Sequence, residues 1–143
     1  MQQTHYTGSC LCGEIQFAVS ELDREMAHCH CTMCRKFHGA AFSTFASAKD
    51  FRWLAGEDFL ASYIGNNGSQ RQFCRQCGSS LTFRAAGAEH FEFALAALDT
   101  PISEHPDAHV WVDNRANWHN ITDDLPQFSG GRGCECRHQQ ETP

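Results

Sequence analysis

No apolar run in these 143 residues comes near the roughly 20 needed for a membrane-spanning helix, which argues against a membrane protein. The N-terminal stretch Met1-Gln2-Gln3-Thr4-His5 has neither the basic nor the apolar segment of a secretory signal, so a cytoplasmic location is expected. Basic residues are scarce. Eleven Lys and Arg against 17 Asp and Glu leave a formal net charge of −6, and no basic run exceeds Arg35-Lys36. The cationic footprint that binds a phosphate backbone is therefore missing, and nucleic acid is not expected as a partner. There is no internal repeat, and the length suits one domain and not two. Disorder is not expected before the C-terminal end, because 41% of the residues are hydrophobic and 11 are phenylalanine.

What is present reads as short strands. Ile15, Phe17 and Val19 alternate with Gln16 and Ala18, the period of a half-buried strand. Similar segments follow at Ala41–Ala46, Phe51–Leu54, Phe59–Ile64, Gln70–Phe73, Leu81–Arg84, Phe91–Leu98 and His109–Val112, separated by Gly-rich or polar punctuation. This pattern predicts an all-β fold over residues 1–128 with one short helical turn, Thr32–His38, capped by Thr32 and stopped by Gly39. From Ser129 the sequence becomes Gly-rich and polar, and residues 129–143 are read as a flexible tail.

Nine cysteines are many for a chain without a signal sequence, and an odd number leaves one over from any disulfide framework. They fall as Cys10-x-Cys12, Cys29-x-Cys31-x2-Cys34, Cys74-x2-Cys77 and Cys134-x-Cys136. Residues i and i+2 of an extended strand face one side, and a two-residue gap before a glycine lets a tight turn do the same. Cys10, Cys12, Cys74 and Cys77, followed by Gly13 and Gly78, thus supply the full tetrahedral thiolate set of a structural zinc. Such an ion staples the first strand to a central hairpin and closes a loop of about 60 residues. Deprotonated ligands would make the zinc-bound chain more negative than −6.

Cys29, Cys31 and Cys34 differ in kind. Three thiolates in so short a segment, with no evident fourth partner, follow the catalytic pattern of three protein ligands plus an open position. That position suits water or a substrate thiol, because zinc stabilises the thiolate. The competing reading closes the shell with a histidine, for which His28, His30 and His38 lie near in sequence.

The segments Gly8-Ser9-Cys10-Leu11-Cys12-Gly13, Cys29-His30-Cys31-Thr32-Met33-Cys34-Arg35-Lys36 and Phe73-Cys74-Arg75-Gln76-Cys77-Gly78-Ser79 resemble the glutathione-dependent formaldehyde-activating enzyme family and its centromere-protein-V-like relatives. The stretch Asp123-Asp124-Leu125-Pro126-Gln127-Phe128 resembles that family's C-terminal signature. The resemblance implies a β-tent of short antiparallel strands stapled by zinc. It implies a structural ion on Cys10, Cys12, Cys74 and Cys77, and a second, catalytic one on Cys29, Cys31 and Cys34; three thiolates with an exchangeable fourth ligand are expected to hold their ion less tightly, so that site is expected to be partly empty or completed by water or a small ligand. The implied activity is that of a carbon–sulfur lyase adding glutathione or another thiol to formaldehyde or a related small aldehyde. Relatives with this fold that serve as non-catalytic interaction modules supply the alternative.

Glutathione carries two carboxylates, so its site needs cations. Arg35 and Lys36, directly after Cys34, are the nearest; Arg71, Arg75 and Arg84 are further candidates, each expected to be solvated at the surface unless it binds. His28 and His30 are expected on the strand face opposite the sulfurs, in supporting or surface roles. His5, His90, His105, His109, His119 and His138 have no ligand spacing and are read as surface or satisfied core residues. Phe42, Phe45, Phe51, Phe59, Phe91 and Phe93 are assigned to the core, and Trp111 and Trp118 to packing the C-terminal segment over the sheet. Cys134 and Cys136 are read as free thiols on the tail, with a fold-back onto the triplet metal as the sharper alternative.

Overall fold

The structure, a computed structural model, describes residues 6–132. It is mostly β with one helix, and it divides into two compact units. Among the described residues, unit 1 comprises 6–24 and 46–104, and unit 2 comprises 25–45 and 105–132.

In unit 1, β1 (Tyr6–Ser9), β2 (Gln16–Val19) and β5 (Arg52–Ala55) form a three-stranded antiparallel sheet. Gly8 of β1 faces Phe17 of β2 in register, and a Cβ there would lie 2.3 Å from Phe17 Cζ and 2.6 Å from the Ala97 carbonyl oxygen. Only glycine fits this approach. Strands β6 (Leu60–Ile64), β7 (Gln70–Cys74), β8 (Ser80–Arg84) and β9 (Glu92–Ala94) follow as an antiparallel meander. The core of the unit is aromatic: Phe17 stacks on Phe51 at 4.9 Å, Phe93 lies 5.6 Å from Phe17, and Phe91 meets Phe51 edge-on at 4.9 Å. Phe17 and Phe93 are fully buried, and each contributes about 1.5–3 kcal/mol; Phe51 and Phe91 are half-buried.

In unit 2, β3 (Glu21–Cys29) and β4 (Ser43–Lys49), both of which run on into unit 1, are neighbours, and β10 (Ala108–Val110) lies beside β3. Helix α1 (Thr32–His38) connects β3 to β4. The β3–β10 pair is parallel, with His109 opposite His28 and Val110 opposite Cys29, which corrects the antiparallel expectation. A parallel partner needs a long crossover, and the sequence between these strands supplies one. Residues 126–130 then run beside β10: His109 N–H donates to Pro126 O (2.9 Å), Phe128 N–H to His109 O (2.9 Å) and Trp111 N–H to Gly130 O (2.8 Å).

Several sequence expectations shift. The segment Phe91–Leu98 is β9 followed by a 3-10 turn at Leu95–Ala97, and Phe59 closes a 3-10 turn before β6. The cap of α1 is Cys31, not Thr32, because the Cys31 sulfur takes the Cys34 N–H; Gly39 ends the helix at φ 65°. Trp111 and Trp118 do not pack down over the sheet but stand 45% and 69% exposed, Trp111 with a left-handed φ of 57°. Residues 129–132, placed in the tail by their composition, carry the Gly130 bond and Arg132, which donates to Asp107 (2.8 Å) and to Met26 O (3.3 Å). Cys134 and Cys136, with His5 and His138, lie outside the described residues.

Candidate metal centres

Unit 1 brings Cys10, Cys12, Cys74 and Cys77 together, with all four sulfurs within 4.8 Å of one another. Each pair sits on a turn closed by a glycine in the left-handed region, Gly13 (φ 84°) and Gly78 (φ 83°), which donate backwards to Cys10 O (3.0 Å) and Cys74 O (2.8 Å). Side-chain-bearing residues avoid that conformation, so the glycines make the turns possible. The sulfur separations Cys10–Cys12 (3.6 Å) and Cys12–Cys74 (3.9 Å) match the edge of about 3.8 Å expected for a sulfur tetrahedron with metal–sulfur bonds of about 2.3 Å. Backbone N–H groups already point at the sulfurs, from Ile15 to Cys10 (3.3 Å) and from Gln76 to Cys74 (3.3 Å). The donor set and spacing therefore fit a metal ion. Cys77 is lowered to about 6: burial opposes this, and the Ser79 hydroxyl and backbone N–H groups outweigh it.

In unit 2, Cys29 ends β3, Cys31 caps α1 and Cys34 lies in the first turn of the helix, so a strand end and a helix start aim three sulfurs at one point within 4.8 Å. Among the described residues no histidine or carboxylate joins them, so His28, His30 and His38 do not complete the set. The three thiols share charge unequally. Cys31 is pulled down to about 2, first by the hydrogen bonds from Cys29 and Cys34 and then by the Cys34 and Met33 N–H groups, whereas Cys29 is pushed up, chiefly by its bond to Cys31.

The other nominated residues are dispersed. Arg35 is half-buried on α1; its Nη2 donates to Thr32 Oγ1 (3.4 Å), and its Nε has no acceptor among the described residues. Lys36 is exposed on the same helix. Arg71 is not at the surface, as expected for an unbound arginine, but 5% exposed, its guanidinium 4.7 Å from the Phe83 ring centroid. Arg75 rests over Phe59 at 5.2 Å and donates to Asp58 O, and Arg84 donates to Gln70. All three arginines belong to unit 1, while the triplet belongs to unit 2.

Sequence reasoning passed over a histidine cluster in unit 2. His30 is fully buried, not at the surface, and its Nε2 lies 2.8 Å from His109 Nδ1. His109 Nε2 lies 3.0 and 3.1 Å from the two carboxylate oxygens of Asp123. His28 pairs with Thr44 (2.8 Å), and Phe42 packs against His28 and His30 at 4.6 and 5.0 Å. Burial first, then the neighbouring histidines, lowers His30 to about 4, so its imidazole is neutral. The one available signal was a histidine between Ala108 and Val110 in a strand buried throughout.

The sequence profile of the glutathione-dependent formaldehyde-activating enzyme family matches residues 5–114. An uncharacterized lyase of Schizosaccharomyces pombe is 25% identical over 125 residues, covering 87% of this chain and 90% of that one. A Halomonas elongata protein, provisionally named a glutathione-dependent formaldehyde-activating enzyme, is 27% identical over 124 residues, covering 80% and 79%. A crystal structure of a Rhodobacter sphaeroides protein superposes with a TM-score of 0.56 at 25% identity, over 68% of this chain and 91% of that one.

Proposed function

The chain belongs to the glutathione-dependent formaldehyde-activating enzyme family, and from that membership we propose that it is a zinc-dependent carbon–sulfur lyase joining glutathione, or a similar thiol, to formaldehyde or a related small aldehyde. One observation carries the reading: Cys29, Cys31 and Cys34 converge with no fourth donor among the described residues, which leaves a place for a substrate sulfur. Cys10, Cys12, Cys74 and Cys77 hold the structural ion of the β-tent in this reading.

Zinc bound by the triplet supplies Lewis acidity and stabilises a thiolate at neutral pH. The protein's own part is to present the sulfurs, to orient the thiol and to balance its charges. In the addition, sulfur bonds to the carbonyl carbon, the carbonyl π pair moves to oxygen, and that oxygen takes the proton the thiol gives up. Cys31, which caps α1 and whose sulfur accepts the Cys34 N–H (3.3 Å), is the anchor of the triplet. Arg35, whose Nε has no acceptor among the described residues, and Lys36 stand one and two residues beyond Cys34, suited to the carboxylates of glutathione. Proximity and orientation carry the rate in this scheme.

The test is exchange NMR of glutathione with formaldehyde in the presence of zinc-loaded protein. Accelerated formation of the S-hydroxymethyl adduct is expected, abolished in Cys31→Ser. A zinc-loaded wild-type protein that binds glutathione no better than Cys31→Ser and accelerates nothing would refute the enzyme reading and favour an interaction module.

A further inference from the structure

Three residues far apart in sequence form a hydrogen-bonded line in unit 2: Asp123 to His109 (3.0 Å), and His109 to His30 (2.8 Å). Their donors and acceptors can be assigned from one end. An ionised carboxylate only accepts, so His109 Nε2–H must donate to Asp123. With both imidazoles neutral, His109 Nδ1 is then bare and can only accept, so His30 Nε2–H donates to it. This leaves His30 Nδ1 without a proton, and that atom is buried with no partner among the described residues. The line is anchored at its outer end as well, because Asp123 Oδ1 also accepts the Leu125 N–H (3.0 Å).

Burying two imidazoles is costly unless each is well bonded, and an apolar pair would fill the same space without that demand. Something specific is therefore being held, and His30 sits between Cys29 and Cys31. Its backbone is fixed too, the His30 N–H donating to Val110 O (3.0 Å). The residue that joins the end of β3 to the cap of α1 is thus gripped by both main chain and side chain. Packing supports the grip: Phe42 lies 5.0 Å from the His30 ring and His28 lies 4.8 Å from the His109 ring.

We propose that Asp123, His109 and His30 are positioning residues of the three-cysteine site, a carboxylate–imidazole–imidazole chain that fixes the turn carrying Cys29 and Cys31 so that the three sulfurs converge. The inference rests on the reading above that this triplet holds a metal. None of the three is a ligand of the metal; they act through the two cysteines that flank His30. Groups that orient ligands in this way are commonly worth 10- to 100-fold in metal affinity.

Two measurements decide it. Long-range proton–nitrogen NMR of the metal-free protein reads the tautomers directly, and both His30 and His109 are expected to carry their proton on Nε2. Competition against a chromophoric chelator then gives the zinc affinity of each site, with cobalt(II) as a spectroscopic probe of the sulfur geometry. Asp123→Ala should weaken the triplet site by about 10- to 100-fold and shift its cobalt charge-transfer bands. The Cys10/Cys12/Cys74/Cys77 site of the same molecule, unchanged, serves as the internal control. Asp123→Asn, whose carbonyl still accepts from His109 and Leu125, should stay within a few-fold of wild type. Either imidazole protonated on Nδ1, or an Asp123→Ala protein with unaltered triplet affinity and cobalt spectrum, overturns the proposal. A wild-type triplet that takes up no metal refutes the lyase reading alone, and the tautomers of the metal-free protein then decide the positioning chain.

Discussion

Cys77 and Cys31 carry the same side chain but differ in what their loss costs. Cys77 belongs to a cluster whose members Cys12 and Cys74, with sulfurs 3.9 Å apart, are separated by 62 positions, so an ion there joins the first strands of unit 1 to its meander. Structural zinc contributes on the order of 10 kcal/mol, comparable with the whole stability of a small domain. Cys77→Ser is therefore expected to lose metal and fold together, read as a collapsed melting transition. Cys31→Ser breaks a site confined to one short segment that closes no long loop. It should keep its far-ultraviolet circular dichroism and melt close to wild type while its zinc content falls from two ions per chain to one. A loss of melting temperature equal to that of Cys77→Ser would make the triplet structural. These cysteines were legible in the sequence because their ligand spacing is local within each pair. Arg71 was not: its burial against Phe83 depends on β7 pairing with β8, which places Arg71 opposite Phe83.

Among the elements, the segment of residues 123–128 beside β10 carries a pH dependence. Asp123 is held below its ordinary value of 3.8, first by the hydrogen bond from His109 and then by the Leu125 N–H. A carboxylate lowered in the folded state adds stability that is fully present above the unfolded value and is lost as the pH falls through the folded one. The stability gap between wild type and Asp123→Asn in urea should thus be constant above about pH 5 and close as the pH falls below about 4. A gap independent of pH down to 3 would show that the Asp123 charge contributes nothing. Helix α1 was read from Thr32 as cap and Gly39 as stop; Gly39 does end it, and the cap lies one residue back, at Cys31. Strand β3 was not read, because Arg24 interrupts the alternation of Leu22 and Met26 with Glu21, Asp23 and Glu25. The turn at Leu95–Ala97 was absorbed into a strand for the opposite reason: it is apolar like the strand before it.

Among the described residues each unit carries one cysteine cluster, the four-sulfur set in unit 1 and the three-sulfur set in unit 2. A site with three thiolates and an exchangeable fourth position should release its ion first. Titration of the zinc-loaded protein with a mild chelator is expected to remove one equivalent with no change in far-ultraviolet circular dichroism, and the second only as the dichroism collapses. Glutathione should slow reloading of the first site by competing at its open position. Simultaneous loss of both ions would contradict the division between an open and a closed site.

The sequence alone determined the strand-rich character, the short helix and the membership of both cysteine clusters, because alternation, capping and ligand spacing are written over a few consecutive residues. It also carried the family, through three cysteine motifs in order. Tertiary structure decided the rest. That β10 lies parallel to β3, that Arg71 is buried, and that His30 meets His109 and His109 meets Asp123, across separations of 79 and 14 positions, are facts about which segments become neighbours. Such pairings are set by register and by the burial of whole faces, and they leave no periodic trace in the residues that take part.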